Sequence, residues 1–432
     1  MSVMARVLTQ AGVEVSACDL HPGWITKRLS GFGVTVMEGH DPSHSAGCDA
    51  IVHTAAVPSD AEELKAAAAA GVAVIPRGEA LGMMLASFRQ IAISGTHGKT
   101  TTSAMTASIF EAAGKDPTFL VGSDMGGLPG GRLGSSDLAI VEADEAFGSF
   151  LHLSPDIAVV TNIEADHLDF YGGMEALREA FRRFLSSGRV RVVNLDHAET
   201  ANLAAEFRAI TFGINEKADV RGIDVVGESA GSRFTLEIGD EVVCEVRVAV
   251  PGHYNVQNAL AAAAAAHAFG ISPLYIKEGL EKFSGTARRF ERKGTFQGGV
   301  VFDDYAHHPT EVAAVLEAAQ QAGWERVIAV FQPHLYSRTA ALAEQFGTAL
   351  RFADVAIVTE IYGSRELPVE GVDGKLVVDA LCENYPSKRV LFAPTLSDAA
   401  TMLASLVRDG DAVVCMGAGD ITELPDMLPV VH

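Results

Sequence analysis

Ile91-Ala-Ile-Ser-Gly95-Thr-His-Gly98-Lys-Thr-Thr-Thr102 runs from a short apolar stretch through a glycine turn into a helix-forming segment, and its reading decides the fold. Residues 91–93 are strand-like, and 103–113 are apolar and helix-forming. A strand-turn-helix of this kind is a phosphate cradle. Gly95 and Gly98 let backbone N–H groups face an anion, Lys99 adds a point charge, and the Thr100 hydroxyl can serve Mg²⁺. The match to a full P-loop is incomplete, because the glycine expected five residues before Gly98 is Ile93. The competing reading is an ordinary turn between a strand and a helix.

Working outward, the 432 residues suffice for about three domains, each with its own core. With 48% apolar and 20% charged residues the composition is globular. The net charge of −22 argues against general binding to nucleic acid or anionic membranes, so any nucleotide must be met by local groups. Five scattered cysteines without C-x-x-C spacing suggest neither a disulfide framework nor a zinc site and fit a reducing cytoplasm. The alanine runs at 66–70 and 259–266 fall short of the ~20 apolar residues a membrane span needs. No apolar signal segment follows Met1, so a cytoplasmic protein without membrane insertion is expected.

Residues 1–88 alternate strands and helices, as in a small parallel α/β unit that begins inside a helix. Residues 89–287 carry the phosphate loop and two acidic clusters at strand ends, Glu142-Ala-Asp-Glu145 and Asn162-Ile-Glu-Ala-Asp-His167. Carboxyl ends of parallel strands face the ligand crevice, so Glu142 and His167 are candidates to join Thr100 around Mg²⁺; solvated loop acids are the alternative. Residues 219–250 suggest a hairpin. Asn255 and Asn258 open an alanine-rich helix on one face, as caps or as base-recognising amides. A third α/β unit, 288–432, starts at Arg288-Arg289, surface charge or a phosphate clamp. Its strands end in Asp303-Asp304-Tyr305-Ala-His307-His308-Pro309, Gln332-Pro-His334-Leu-Tyr336-Ser-Arg338 and Met416-Gly-Ala-Gly-Asp420, with His307 equally readable as a core histidine.

These motifs resemble the Mur ligases over nearly the full length, through Gly95-Thr-His-Gly-Lys-Thr-Thr101, Glu142-Ala-Asp-Glu145, Ser149-Phe-Leu-His-Leu153, the 162–169 run, Asp303 to Glu311, Gln332-Pro-His334 and Gly417-Ala-Gly-Asp420. The resemblance implies a three-domain α/β architecture (1–88, 89–287 and 288–432) of doubly wound parallel sheets with a P-loop-type central ATPase domain. It also implies an ATP- and Mg²⁺-dependent ligase joining L-alanine to the lactyl carboxylate of UDP-N-acetylmuramate through an acyl phosphate, in peptidoglycan precursor synthesis. Carried over by position, Gly95, Thr96, His97, Gly98, Lys99, Thr100 and Thr101 resemble the ATP loop, and Thr100, Glu142 and His167 the metal ligands. Asn255 and Asn258 match the adenine side, Arg288, Arg289 and Asp304 the third-domain groups that close on ATP. Tyr305, His307, His334 and Arg338 are candidates for the alanine side, Asp19 and His40 for the uridine side.

Departures from the family pattern bear on substrate contacts. The opening strand and glycine-rich turn that would meet the UDP pyrophosphate do not precede Met1; a mis-assigned start is the preferred reading, and an upstream-extended chain is expected to bind the nucleotide sugar more tightly. Ala146-Phe147, Tyr254 and Leu335 replace the family's usual residues. Competing readings are a recycling ligase that attaches a ready-made tripeptide, an inactive nucleotide-binding homologue, and a folate-type polyglutamate ligase, which shares the phosphate loop but would not need the Asp303–His308 stretch.

Overall fold

In the computed structural model, which describes residues 1–432 apart from 21, 127, 128, 229, 230, 240, 365 and 432, the strand Arg89–Ser94 is buried after its first residue. Cover on both faces is what a continuous apolar run in a parallel sheet demands. It lies between the parallel strands Leu138–Glu142 and Ile157–Val160, with Ile93 level with Glu142 and Ser94 level with Val160. Val190–Asn194 and Ile210–Gly213 continue the sheet in parallel on one side. Thr118–Leu120, parallel, and Gly131–Arg132, antiparallel, complete the other. Because the register aligns the strand ends, the loops that follow Ser94, Glu142 and Val160 leave one edge of the sheet together.

By spatial proximity the chain divides into two units. One comprises Met1–Ile223, Thr235–Glu245 and Gln257–Phe283; the other comprises Asp224–Phe234, Val246–Val256 and Ser284–His432. One of the five divisions follows the helix Pro273–Lys282, and the other four fall inside a strand or helix between 220 and 257. There, where a hairpin is expected, the chain forms three strands, Val220–Glu228, Gly231–Ile238 and Glu241–Val248.

Within the first unit the opening element is the helix Ser2–Gln10, as expected. Ser16–Asp19 pairs in parallel with Thr35–Glu38, and Ala50–His53 in parallel with Ala73–Pro76, as two separate two-stranded sheets. The helix Arg77–Leu85 joins this region to the central sheet through Leu81 and Leu85, which share a core with Phe150, Phe181 and Phe184.

The second unit holds one six-stranded sheet ordered Glu291–Phe296, Gly299–Asp304, Asp411–Met416, Arg326–Phe331, Val355–Thr359, Arg389–Ala393, antiparallel only at its first pair. Asp304 and Phe331 are both level with Met416, so three polar loops emerge at one edge. Apolar cores lie on both faces. Among the described residues no helix is long and apolar enough to cross a membrane.

One packing contact tests this arrangement. Gly82 lies inside the helix Arg77–Leu85, where alanine is intrinsically better by about 1 kcal/mol, but a Cβ there would stand 2.3 Å from the His152 carbonyl oxygen. Backbone cannot yield as a side-chain tip can. Overpacking of about 1–3 kcal/mol therefore outweighs the propensity gain. Gly82→Ala is expected to lower the denaturation midpoint measured in urea; a raised midpoint would refute this packing.

Candidate active site

The turn after Arg89–Ser94 depends on two glycines. Gly95 has φ +133°, and a Cβ on it would stand 2.1 Å from the Thr161 hydroxyl. Gly98 has φ +84°, and a Cβ on it would stand 2.3 Å from Asn258 Oδ1. Both positions exclude side chains by conformation and by space. The helix Lys99–Ala112 begins directly after Gly98, so its unpaired N-terminal N–H groups sit where an anion is favoured.

The Asn162-Ile-Glu-Ala-Asp-His run supports this turn. Asn162 Oδ1 accepts the His97 N–H at 2.8 Å, its Nδ2 donates to the His97 carbonyl at 3.0 Å, and its own carbonyl accepts the Thr96 N–H at 3.1 Å. Thr96 Oγ1 accepts the Glu164 N–H at 2.8 Å, and the Glu164 carboxylate pairs with His97 Nε2 at 3.4 Å. Asn162 and Glu164 are therefore positioning residues, a role the spacing alone does not reveal.

Lys99 Nζ donates to the carbonyls of Gly95 and Thr96 at 2.6 and 3.1 Å and to both oxygens of Glu145 at 3.0 and 2.7 Å. Burial disfavours its charge, but Glu145, with Asp144 and Glu142, outweighs that, and the ammonium's pKa is raised. Glu145, 2% exposed and three residues past the strand Leu138–Glu142, is the partner of Lys99, which its place in the Glu142–Glu145 cluster does not by itself reveal. Thr100 Oγ1 donates to Glu142 Oε1 at 2.8 Å, and Glu142 Oε2 accepts the Gly122 N–H at 2.6 Å. Thr100 and Glu142 thus meet as expected. His167 takes a left-handed backbone conformation and turns its imidazole to Asp166 at 3.8 Å; among the described residues no hydrogen bond joins it to Thr100 or Glu142. Thr101 is buried in the helix's first turn, and Thr102 Oγ1 donates to Asn258 Oδ1 at 3.2 Å, so Asn258 backs the phosphate turn. Asp19 ends its strand with its carbonyl accepting the Gly39 N–H, and the adjacent His40 faces Cys18 and Glu63.

In the second unit Asn255 donates from Nδ2 to the Pro251 carbonyl at 2.7 Å. Asp304, 3% exposed, accepts the Phe290 N–H on Oδ2 and the Ala306 N–H on Oδ1, each at 2.7 Å. It anchors the arginine turn to the Tyr305-Ala-His307 loop. Burial pushes its pKa up to about 6, with Arg289 pulling the other way. The guanidinium groups of Arg288 and Arg289 lie 4.9 and 5.2 Å from the Tyr305 ring centre, on one aromatic platform. Arg288 also donates to the Gly417 carbonyl at 2.7 Å and faces the buried Asp303 at 3.5 Å; Arg289 faces Glu311 at 4.0 Å. His307 has its pKa lowered by burial against the pull of Glu311, with the nearby Arg338 charge adding to the effect. Its ring lies 6.0 Å from that of His334, which stacks on Tyr362. Gln332, mentioned only as motif, bridges strand ends by donating to Asp420 at 2.6 Å and accepting the Ile421 N–H at 3.1 Å.

Comparison with known proteins matches three family models: the Mur ligase family catalytic domain over residues 1–89, the Mur ligase middle domain over 93–266, and the Mur ligase glutamate ligase domain over 288–419. A UDP-N-acetylmuramate-L-alanine ligase of Kineococcus radiotolerans is 45% identical, covering 99% of this chain and 93% of its own. The same-named protein of Rhodospirillum centenum is 41% identical over 99% and 91%. Among solved structures, the UDP-N-acetylmuramate-alanine ligase of Thermotoga maritima superposes with a TM-score of 0.86 at 27% identity, covering 99% and 95%. A murein peptide ligase of Psychrobacter arcticus has the same fold, with a TM-score of 0.72 at 24% identity over 100% and 97%.

Two substitutions test this geometry. Glu145→Gln leaves the buried Lys99 without its carboxylate, which is expected to cost about 3 kcal/mol in denaturant unfolding; an unchanged midpoint would rule out a buried ion pair. The second concerns Asp304, whose folded pKa of about 6 lies above its ordinary 3.8. The folded chain then binds that proton more tightly than the unfolded chain, so this group's contribution falls as pH rises from 3.8 to about 6 and is constant above. The stability of the wild type minus that of Asp304→Asn should fall through this window, and a flat difference would mean that the carboxyl is not shifted.

Proposed function

The chain belongs to the Mur ligase family, and we propose that it ligates L-alanine to the lactyl carboxylate of UDP-N-acetylmuramate with ATP, a step of peptidoglycan precursor synthesis. The observation that carries this reading is the meeting of Lys99, Thr100 and Glu142 at a turn bounded by two glycines, in a chain 45% identical to such a ligase over 99% of its length. A recycling ligase for a tripeptide shares the fold, but the relatives that match over the whole chain bear the L-alanine name.

The chemistry asks for such groups. A carboxylate acylates poorly, so its oxygen attacks the γ-phosphorus and ADP leaves. The amine of alanine, having lost a proton, then attacks the acyl carbon and inorganic phosphate leaves. Negative charge gathers on the transferred phosphoryl oxygens and on ADP, and Lys99 with the N–H groups of the helix's first turn, residues 98–101, supplies fixed positive poles there. The pair of hard oxygen donors from Thr100 and Glu142 suits Mg²⁺, with His167 as a further candidate. When bound, Mg²⁺ would neutralise phosphoryl oxygens. Asn258 and Asn255 belong to the nucleotide side in this reading.

Arg288 and Arg289 serve as phosphate-binding cations, positioned by Asp304. His307, His334 and Arg338 form a cluster suited to an amino acid: a guanidinium for its carboxylate, and a neutral imidazole for its amine. Tyr305 holds the arginines. Asp19 and His40 belong to the uridine side. The domain division that goes with these roles is 1–88, 89–287 and 288–432, supported by the ranges of the three family models, and the site of action is the cytoplasm.

The test is phosphate release from ATP and Mg²⁺, with UDP-N-acetylmuramate and then L-alanine, L-serine, glycine or the tripeptide added. Release that requires both the nucleotide sugar and L-alanine is expected. Lys99→Ala should lower kcat by about 10²–10³-fold, the scale of losing one preorganised charge-stabilising donor. Preference for the tripeptide would move the protein to recycling, and ATP turnover without either substrate would refute the assignment.

A further inference from the structure

Cys18, His44 and Glu63 form a cluster to which the ligation reading assigns no role, bordered by His40 of the uridine side. Cys18 lies in the strand Ser16–Asp19, His40 follows the strand Thr35–Glu38, His44 lies in the short 3₁₀ turn Pro42–Ser45, and Glu63 lies in the first turn of the helix Glu62–Ala69. The centre is Glu63, 8% exposed. Among the described residues no Arg or Lys pairs with it. Its neighbours are instead the Cys18 thiol at 3.4 Å, His40 Nδ1 at 3.0 Å and His44 Nδ1 at 3.2 Å, and Cys18 Sγ also lies 3.4 Å from His40 Nδ1.

The donor set matches a known chemistry. In a tetrahedral zinc site with metal-sulfur and metal-nitrogen bonds of about 2.3 and 2.0 Å, neighbouring ligand atoms stand roughly 3.3–3.6 Å apart. Here Glu63 lies 3.4 Å from the Cys18 sulfur and 3.2 Å from His44 Nδ1, and one ligand atom each from Cys18, His44 and Glu63 all lie within 4.8 Å of one another. We propose that these three residues form a binding site for a divalent metal of borderline softness, Zn²⁺ above all, with the fourth position open to water. The charges agree: one thiolate and one carboxylate with a neutral imidazole balance a divalent cation, so burial carries little penalty. A thiolate and an imidazole also distinguish the site from one for Mg²⁺, which prefers oxygen.

Without metal the Cys18 thiol donates to Glu63. Binding forms a metal-sulfur bond and releases the Cys18 proton to water. The metal would clamp the strand Ser16–Asp19 and the turn Pro42–Ser45 to the helix Glu62–Ala69. The proposal does not depend on the ligase reading, since it is tested without nucleotide or amino acid.

The test uses the full tag-free chain, stripped with a chelator and held in excess Mg²⁺ to saturate oxygen sites. Titration with Co²⁺ should give one equivalent with an intense tetrahedral visible spectrum, a near-ultraviolet thiolate-to-metal band and release of protons, and Zn²⁺ should displace it. Cys18→Ser should abolish the band and weaken Zn²⁺ binding at least about tenfold, and His44→Ala should weaken it similarly; Cys382→Ser, altering an exposed cysteine, should change neither. Should Cys18→Ser fail to fold by circular dichroism, the wild-type chain still decides: Zn²⁺ should slow alkylation of Cys18, read by mass spectrometry, and leave that of Cys382 unchanged. A weak octahedral spectrum, a Cys18→Ser chain that binds as the wild type does, or alkylation of Cys18 indifferent to zinc would overturn the proposal.

Discussion

The first unit's chemistry rests on one constraint: an ammonium must stay charged while almost out of water, one residue after a turn with no room for a Cβ. Lys99 is charged because Glu145 sits opposite it, and both hold their places because Gly95 and Gly98 let the backbone pass Thr161 and Asn258 at distances no side chain would permit. Remove the glycines and the carbonyls that Lys99 binds move; remove Glu145 and burial drives the ammonium toward neutrality. The parallel register of the neighbouring strands makes this possible. It sets Glu142 level with Ile93 and Val160 level with Ser94, so both acidic loops start where the phosphate turn starts.

Polar residues at these strand ends therefore divide into two kinds. Some hold backbone in place: Asn162 makes three hydrogen bonds with the turn, and Asp304 spends both oxygens on N–H groups from two different loops. Others, such as Thr100 and Glu142, face one another across a donor pair that a cation can enter. The first kind gives the second its accuracy. A site that must hold a transferring phosphoryl group loses rate steeply with small displacements, so the bonds spent on positioning act on the chemistry indirectly.

Much of this was legible in the sequence, in a graded way. The phosphate turn could be read because its glycines, lysine and threonine carry their mechanism in adjacent positions. The α/β order could be read from apolar runs ending in polar tips, and the six-stranded sheet delivers three of those tips to one edge. Glu145 could not be assigned, since a one-dimensional cluster of four residues does not say which carboxylate the helix's first lysine will reach. Nor could the roles of Asn162 and Glu164, which depend on two loops meeting after strands 60 residues apart in sequence. His167 was read as a metal ligand from its place after a strand and from the family resemblance; its imidazole stands 3.8 Å from Asp166. The three strands over 220–248 were read as a hairpin because alternation in short exposed strands is a weak signal for their number.

Charge completes the picture. A chain of net charge −22 repels polyanionic substrates at a distance, so every anion it holds must be met by cations concentrated locally. The second unit does this at Tyr305, where two guanidinium groups share one ring. Two like charges so close would separate in water. Here Arg288 is held by the Gly417 carbonyl and the buried Asp303, while Arg289 is faced by Glu311, so each arginine has its own acidic counterweight. The ring and the acids fix the direction of both guanidinium groups, and that fixed direction is what such a site can offer a phosphate or a carboxylate.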